Sequence, residues 1–301
     1  MTRSNASTPD PRKIWLRKYM KVEKASDKDI IEALEEAAKA AQEAVEELMS
    51  KPGIGAAVRR AQLIGGHGAI TKVLHKLYRR LGFIITDQQE AAIQAAIEAN
   101  LEWQQRILKA IEPNAQKRNV LQAAMREGAD RNPQALVARM LHTQMPLSKQ
   151  VYRSEALSKH WISKLVNSAL AKGDSAADLA KKVRDYIHPG VRGGISYAAM
   201  RLARTEINNA FHAQAIKDAQ EQPWVHGMKW NLSRVHERDP GDLCEAYARR
   251  GVFPTNAVPR KPHPQCRCFV TPEVMDLESL ITRARSGDFS KYVSEKTSLA
   301  A

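Results

Sequence analysis

Cysteine is scarce in this chain. Only Cys244, Cys266 and Cys268 occur among 301 residues. Three thiols cannot make the disulfide framework of a small secreted domain, and their scarcity points to synthesis in a reducing cytoplasm. Aromatic side chains are sparse as well, 6% of residues within a hydrophobic fraction of 43%, much of it alanine. That composition favours helices packed through small side chains over a dense aromatic core. No apolar run approaches the ~18 residues a membrane span needs, so no membrane partner is expected. Met1 to Lys13 is polar, carries Pro9 and Pro11, and lacks the apolar core of a secretory leader. Acidic residues are outnumbered by basic ones, 33 to 47, for a formal net charge of +14. The imbalance says nothing about fold. It predicts attraction to anionic partners such as nucleic acid, an acidic protein surface or anionic lipid, against the plainer alternative of solvated, unused charge.

The chain is long enough to bury a sizeable core, as one large or two modest domains. Residues 1–26 read as a flexible basic arm. Ser26 or Asp27 can cap a helix reaching Met49, in which Ile30, Leu34, Ala37, Ala38, Ala41, Val45 and Leu48 recur at helical spacing. A second helix is expected from Ala56 to Leu81, kinked or broken at Gly65-Gly66-His67-Gly68. That glycine run lacks the spacing and Lys-Ser/Thr ending of a phosphate-cradling loop. Lys72 to Leu81 interleaves basic residues with Tyr78, which fits a nucleic-acid or acidic-protein contact, or a solvated helix face. A third helix is expected from Asp87 to Ile111 with Trp103 as core anchor. Asn132-Pro133 reads as a further helix start, and Met145-Pro146 as punctuation. Helices follow over 148–171, 176–187 and from Gly194 to about Gln220. In the last, Leu202, Glu206, Asn209, Ala213 and Ile216 share one face, so Glu206 interrupts an apolar stripe and needs a partner. Arg204 lies nearly opposite Glu206 around the helix.

After Pro223 the period changes. Trp224 to Leu232 fits a strand, Asp239-Pro240-Gly241-Asp242 a turn, Leu243 to Arg250 a short helix carrying Cys244, and Cys266 to Thr271 a final strand. A helix and a frayed tail are expected beyond Glu278. The class predicted is mainly α with a small C-terminal α+β domain, its short strands gathered around a Cys/His cluster.

That cluster centres on Pro262-His263-Pro264-Gln265-Cys266-Arg267-Cys268. In a strand, residues two apart face one side, so Cys266 and Cys268 would point together. With Cys244 and His263 they make three sulfur donors and one imidazole, a set that zinc accepts in closed tetrahedral sites. The competing readings are a disulfide from Cys244 to Cys266 or Cys268, and three reduced thiols. A thiol nucleophile with His263 or His236 as base, and a metal nuclease drawing on His226, His236, Glu237, Asp239 or His263, are the enzymatic alternatives. No catalytic residue is assigned.

The order Arg204-Thr205-Glu206 on a long helix, Trp230 on a strand, Asp242-Leu243-Cys244, then His263-Pro-x-Cys-Arg-Cys268 resembles the C-terminal domain of the Mu F-like minor head proteins of tailed bacteriophages, over about residues 150–275. Where many members carry a second ligand in the first cluster, this chain has only Cys244, followed by Glu245 and Tyr247, which leaves His263 as fourth donor. The resemblance implies a structural minor capsid protein acting in head morphogenesis. Its partners would be the portal or major capsid protein, and packaged DNA through sequence-blind phosphate contacts. Its place would be the virion, with the host cytoplasm during assembly. Arg204, Glu206, Trp230 and Asp242 would be structural motif residues. The implied organisation is an arm (1–26), a helical domain (27–147), the minor-head domain (148–278) and a tail (279–301).

Overall fold

The computed structural model describes residues 10–49, 56–111, 114–128, 147–172, 174, 176–191, 194–234, 236 and 242–298. In order, the elements are α1 (Arg12–Met49), α2 (Ala56–Ile111), α3 (Ala115–Gly128), α4 (Leu147–Lys172), α5 (Ala176–Ile187), α6 (Gly194–Gln220), β1 (Val225–Asn231), α7 (Leu243–Arg250), β2 (Val252–Phe253), β3 (Phe269–Val274), α8 (Leu277–Arg285) and α9 (Ser290–Ser298). The expected class, helical with a small C-terminal sheet region, is what the chain adopts. Among the described residues no helix is long and apolar enough to cross a membrane. The expected helix start at Asn132-Pro133 and the punctuation at Met145-Pro146 lie outside the described residues.

Residues divide into two compact units, with the division falling inside α1, α2 and α6. The first comprises residues 1–22, 89–138 and 207–301; the second comprises 23–88 and 139–206. This interleaving differs from the sequential arm, helical domain, head domain and tail expected above.

In the first unit, α1 begins at Arg12, because the Asp10 carboxylate accepts from the Arg12 N–H at 2.9 Å and the Pro11 carbonyl accepts from Ile14 and Trp15. The expected arm is therefore helical from Arg12 on. Ile14, Trp15, Tyr19 and Val22 recur at helical spacing and are buried, while the cations between them pair outward, Lys18 with Glu98 and Arg17 with Glu102. Trp15 meets Trp103 edge-on at 6.0 Å, and Trp103 is fully buried, the core anchor its position predicted. The sheet is antiparallel in the order β2-β1-β3. Gly227 on β1 is required by close approach: a Cβ there would stand 2.5 Å from Val252 Cγ1 and 2.8 Å from the Phe253 carbonyl oxygen. The expected tail is packed as well. Phe289 and Tyr292 stand edge-on to the buried Trp224 ring at 5.7 and 5.1 Å, and α9 lies against α3.

Among its described residues the second unit holds helices and their connecting turns and no strand. Here α2 runs unbroken through Gly65-Gly66-His67-Gly68 and on through 82–86, joining the two helices expected separately. A helical glycine costs about 1 kcal/mol against alanine but still donates its N–H, and no proline interrupts residues 56–111. Tyr78 is buried and its hydroxyl bonds Ser158 Oγ at 2.6 Å, so it is a core residue and no stacking platform for a nucleic acid. Its exposed basic neighbours are Lys72, Lys76 and Arg79. Asp27, expected as a cap, lies within α1 and receives Arg204 through two bonds, Nε at 3.0 Å and Nη2 at 2.8 Å. Glu206 is buried and accepts from Gln150 Nε2 at 3.1 Å; burial raises its carboxyl above the usual range, against the lowering effect of that bond. Arg204 and Glu206 thus serve different partners, as their positions around α6 required.

Candidate metal centre

The cluster belongs to the first unit and sits at one end of its sheet. The β1–β3 register pairs Asn231 with Phe269, so the chain leaves β1 beside the point where it enters β3. His236 lies just beyond that exit, and Cys268 just before that entry. The third contribution is α7. Asp242 is its N-cap, in extended conformation, and its Oδ1 accepts from the Cys244 N–H at 2.9 Å. Capping fixes Cys244 in the first turn, where the positive helix end favours a thiolate. At its other end α7 stops on Gly251, at φ +82°, and passes directly into β2, which pairs Met228 with Phe253.

The last contribution is the loop from Pro254 to Cys268. Two contacts tie it down near its start. His212 on α6 is buried and donates from Nε2 to the Pro259 carbonyl at 3.0 Å, and burial, then the charge of Lys261, pushes that imidazole down to about 3. The Lys261 ammonium stands 5.5 Å from the centre of the Trp230 ring, a cation–π distance. Trp230 itself packs edge-on to Tyr247 of α7 at 5.0 Å and to His212 at 5.8 Å, which couples sheet, helix and loop. Gln265, at φ +58°, makes the final turn. Because of that turn, Cys266 and Cys268 precede β3, which starts at Phe269. The strand expected from Cys266 is corrected accordingly: the thiols converge through a loop and not by alternation on a strand.

Three thiols and two imidazoles meet there. The donor atoms of Cys244, His263 and Cys266 lie within 4.8 Å of one another, and so do those of His236, Cys244 and Cys268. Cys244 Sγ is 3.4 Å from His263 Nε2 and 3.4 Å from Cys266 Sγ, and Cys268 Sγ is 3.8 Å from His236 Nδ1. All three cysteines are free thiols, exposed by 0%, 2% and 1% in chain order. The Pro264 carbonyl, 3.0 Å from His263 Nδ1, can only accept, so Nδ1 carries the proton and Nε2 offers its lone pair. His236 Nε2 faces Asp242 Oδ2 at 3.5 Å and Glu245 Oε1 at 3.7 Å. These groups can hold a metal ion.

The electrostatics support that reading. Hydrogen bonds from Cys244 and Cys266 pull the Cys268 thiol down to about 2. Hydrogen bonding with Cys266 and Cys268, and then burial, push the Cys244 thiol up. Cys266 is also raised: its bond with Cys244 lowers it, but Cys268 and burial outweigh that. Without a cation, one thiolate is what three crowded sulfurs tolerate; a divalent ion is what permits the others to ionise. Two buried polar atoms also lack hydrogen-bond partners here, His236 Nε2 and Lys261 Nζ. His236 Nε2 is turned to the carboxylates of α7, which leaves Nδ1 toward Cys268, and a buried cation beside sulfurs that ionise around an ion is explained by an occupied site.

Of the four donors expected from the sequence, Cys244, His263 and Cys266 lie within 4.8 Å of one another, while Cys268 is grouped with Cys244 and His236; Asp242 caps the helix that carries Cys244, and Trp230 packs on that helix. His236 was expected only as a base or a nuclease ligand, and no motif spacing relates it to the cysteines. Lys261 and His212 had no sequence signal beyond their type. Of the other nuclease candidates, His226 points outward from β1, while Glu237 and Asp239 lie outside the described residues. Comparison with known proteins found no matching family model, no matching curated protein and no matching solved structure.

Proposed function

We propose that this chain is a structural minor head protein of a tailed bacteriophage, acting at the portal or the capsid interior during head assembly, and that its C-terminal region is stapled by zinc. The observation that carries the reading is the meeting of Cys244 with His263 and Cys266 at 3.4 Å, since these are the residues in which the chain resembles the Mu F-like proteins. Sulfur and nitrogen donors suit zinc over magnesium or calcium, which take oxygen. Near-complete burial of the thiols suits a closed structural site. The sheet it would brace includes a strand of only two residues, so an ion joining α7 to the loop before β3 adds stability where apolar packing is thin. The net charge of +14 suits proximity to packaged DNA, by phosphate contacts that weaken steeply with salt.

A second reading has one observation in its favour. Cys268 has a depressed thiol with His236 beside it, as a thiol hydrolase would need. Its 1% exposure argues against it, because a nucleophile must be reached by substrate. A metal-dependent nuclease on the same cluster is the other enzymatic alternative.

Quantitative mass spectrometry on purified proheads and DNA-filled virions of the encoding phage tests the proposal. A few to tens of copies per particle, crosslinked to portal or capsid protein, is the expected result. Absence from both particles, with the chain soluble in infected cells, would defeat the structural role.

A further inference from the structure

The cluster offers five donors in two trios that share Cys244, His236 with Cys268 in one and His263 with Cys266 in the other, where a tetrahedral ion takes four. We infer that His236, which lies outside the cysteine stretch, is the fixed imidazole ligand. His263 is then the exchangeable donor, whose place an external imidazole or thiolate can take. The inference rests on the metal reading above and concerns which residues complete that site.

Two observations separate the two histidines. The His236 side chain is 7% exposed and that of His263 is 42% exposed, so only His263 can leave an ion without opening the interior. His236 Nε2, the nitrogen turned away from Cys268, faces carboxylates of α7, Asp242 at its N-cap and Glu245 in its first turn, at 3.5 and 3.7 Å, whereas Asp242 meets His263 at Nε2, the nitrogen that faces Cys244. The same helix carries Cys244, so one rigid element orients both a thiolate and an imidazole. A carboxylate behind a ligating imidazole fixes its ring and raises its basicity. His263, by contrast, donates from Nδ1 to the carbonyl of the adjacent residue, Pro264, which moves with it. Both imidazoles are placed to ligate: the metal arms typical of zinc, about 2.3 Å to sulfur and about 2.1 Å to nitrogen, make a sulfur–nitrogen edge of about 3.6 Å, and His263 Nε2 stands 3.4 Å from Cys244 Sγ. His236 Nδ1 stands 3.8 Å from Cys268 Sγ, so the ring needs little movement to ligate.

Cobalt(II) titration of the full-length chain tests this, read by thiolate-to-cobalt charge transfer and by the tetrahedral d–d bands. The His236→Ala variant should lose at least about tenfold in affinity. His263→Ala should stay within that factor, keep its charge-transfer intensity, and shift its d–d bands on addition of imidazole. His236→Cys should recover affinity with added charge-transfer intensity, which a merely structural histidine would not produce. Equal losses in the two alanine variants, or an unchanged affinity in His236→Ala, would overturn the assignment while leaving the metal site standing. A wild-type chain that binds neither cobalt nor zinc would overturn the metal reading itself.

Discussion

Asp242 does two separable jobs, and a pair of substitutions distinguishes them. Its Oδ1 caps α7 by accepting from the Cys244 N–H at 2.9 Å. Its Oδ2 stands 3.5 Å from His236 Nε2, the nitrogen turned away from Cys268, so the carboxylate backs that imidazole; against His263 it faces Nε2 itself, at 3.7 Å. Asp242→Ala removes both functions. Asp242→Asn keeps the cap, since asparagine caps as well as aspartate, and removes the charge. In metal-free protein, Asp242→Ala should therefore cost about 1 kcal/mol and Asp242→Asn close to nothing. With zinc, loss of a carboxylate behind a ligand typically weakens binding about 10- to 100-fold, equivalent to about 1.4–2.7 kcal/mol. At fixed free zinc above the dissociation constant that loss appears directly in stability. Asp242→Asn should then fall by about 1.4–2.7 kcal/mol, and Asp242→Ala by about 1 kcal/mol more.

The assay is urea unfolding followed by tryptophan fluorescence, in buffers of fixed free zinc and in chelator. Trp230 packs on Tyr247 of α7 and reports on this part of the unit. If Asp242→Asn matches the wild-type chain at every zinc concentration, while zinc still stabilises both, the carboxylate does not act on the ligand. If the two variants are equally stable in chelator, the cap contributes nothing.

Two further outcomes concern the rest of the fold. Gly227→Ala should destabilise the sheet by about 1–3 kcal/mol in urea, because the new Cβ would press on Val252 and the Phe253 carbonyl; wild-type stability would mean that β2 yields freely. Glu206→Gln should leave the Gln150 bond in place through its carbonyl oxygen. Since burial raises the folded carboxyl, Glu206 supports folding below the ordinary value of 4.5 and loses that contribution as pH rises through its folded value. The variant should be the more stable chain at neutral pH, with the difference vanishing in acid; a pH-independent difference would contradict the burial argument.

The helical class was legible because apolar residues recur at helical spacing over long stretches, and α7 and β1 were legible to within a residue or two of their ends. Misreadings arose where a local signal was outweighed. The glycines at 65–68 suggested a break, yet no proline removed a donor, and α2 continued. The cations at 12–21 suggest an arm, yet Arg12, Arg17 and Lys18 pair with carboxylates while Trp15 and Tyr19 pack inward. Tyr78 looked like part of a basic surface because sequence does not show that Ser158 waits for its hydroxyl.

The donors converge by a route that the local pattern does not show. Alternation along Cys266-Arg267-Cys268-Phe269-Val270 imitates a strand, but the positive φ at Gln265 keeps both thiols out of the β3 ladder. What gathers the donors is long-range register. Pairing Asn231 with Phe269 sets the end of β1 beside the start of β3, and pairing Lys229 with Val252 brings the end of α7 to the same place. His236 then falls opposite Cys268 although 32 residues separate them. No spacing rule encodes such a neighbour, because the distance along the chain is set by α7 and its loops and not by the metal. Cysteine, rare in the composition and close-spaced in one stretch, announced its half of the site. Histidine, scattered through the chain, became a ligand candidate only once the sheet had fixed which segments leave it together.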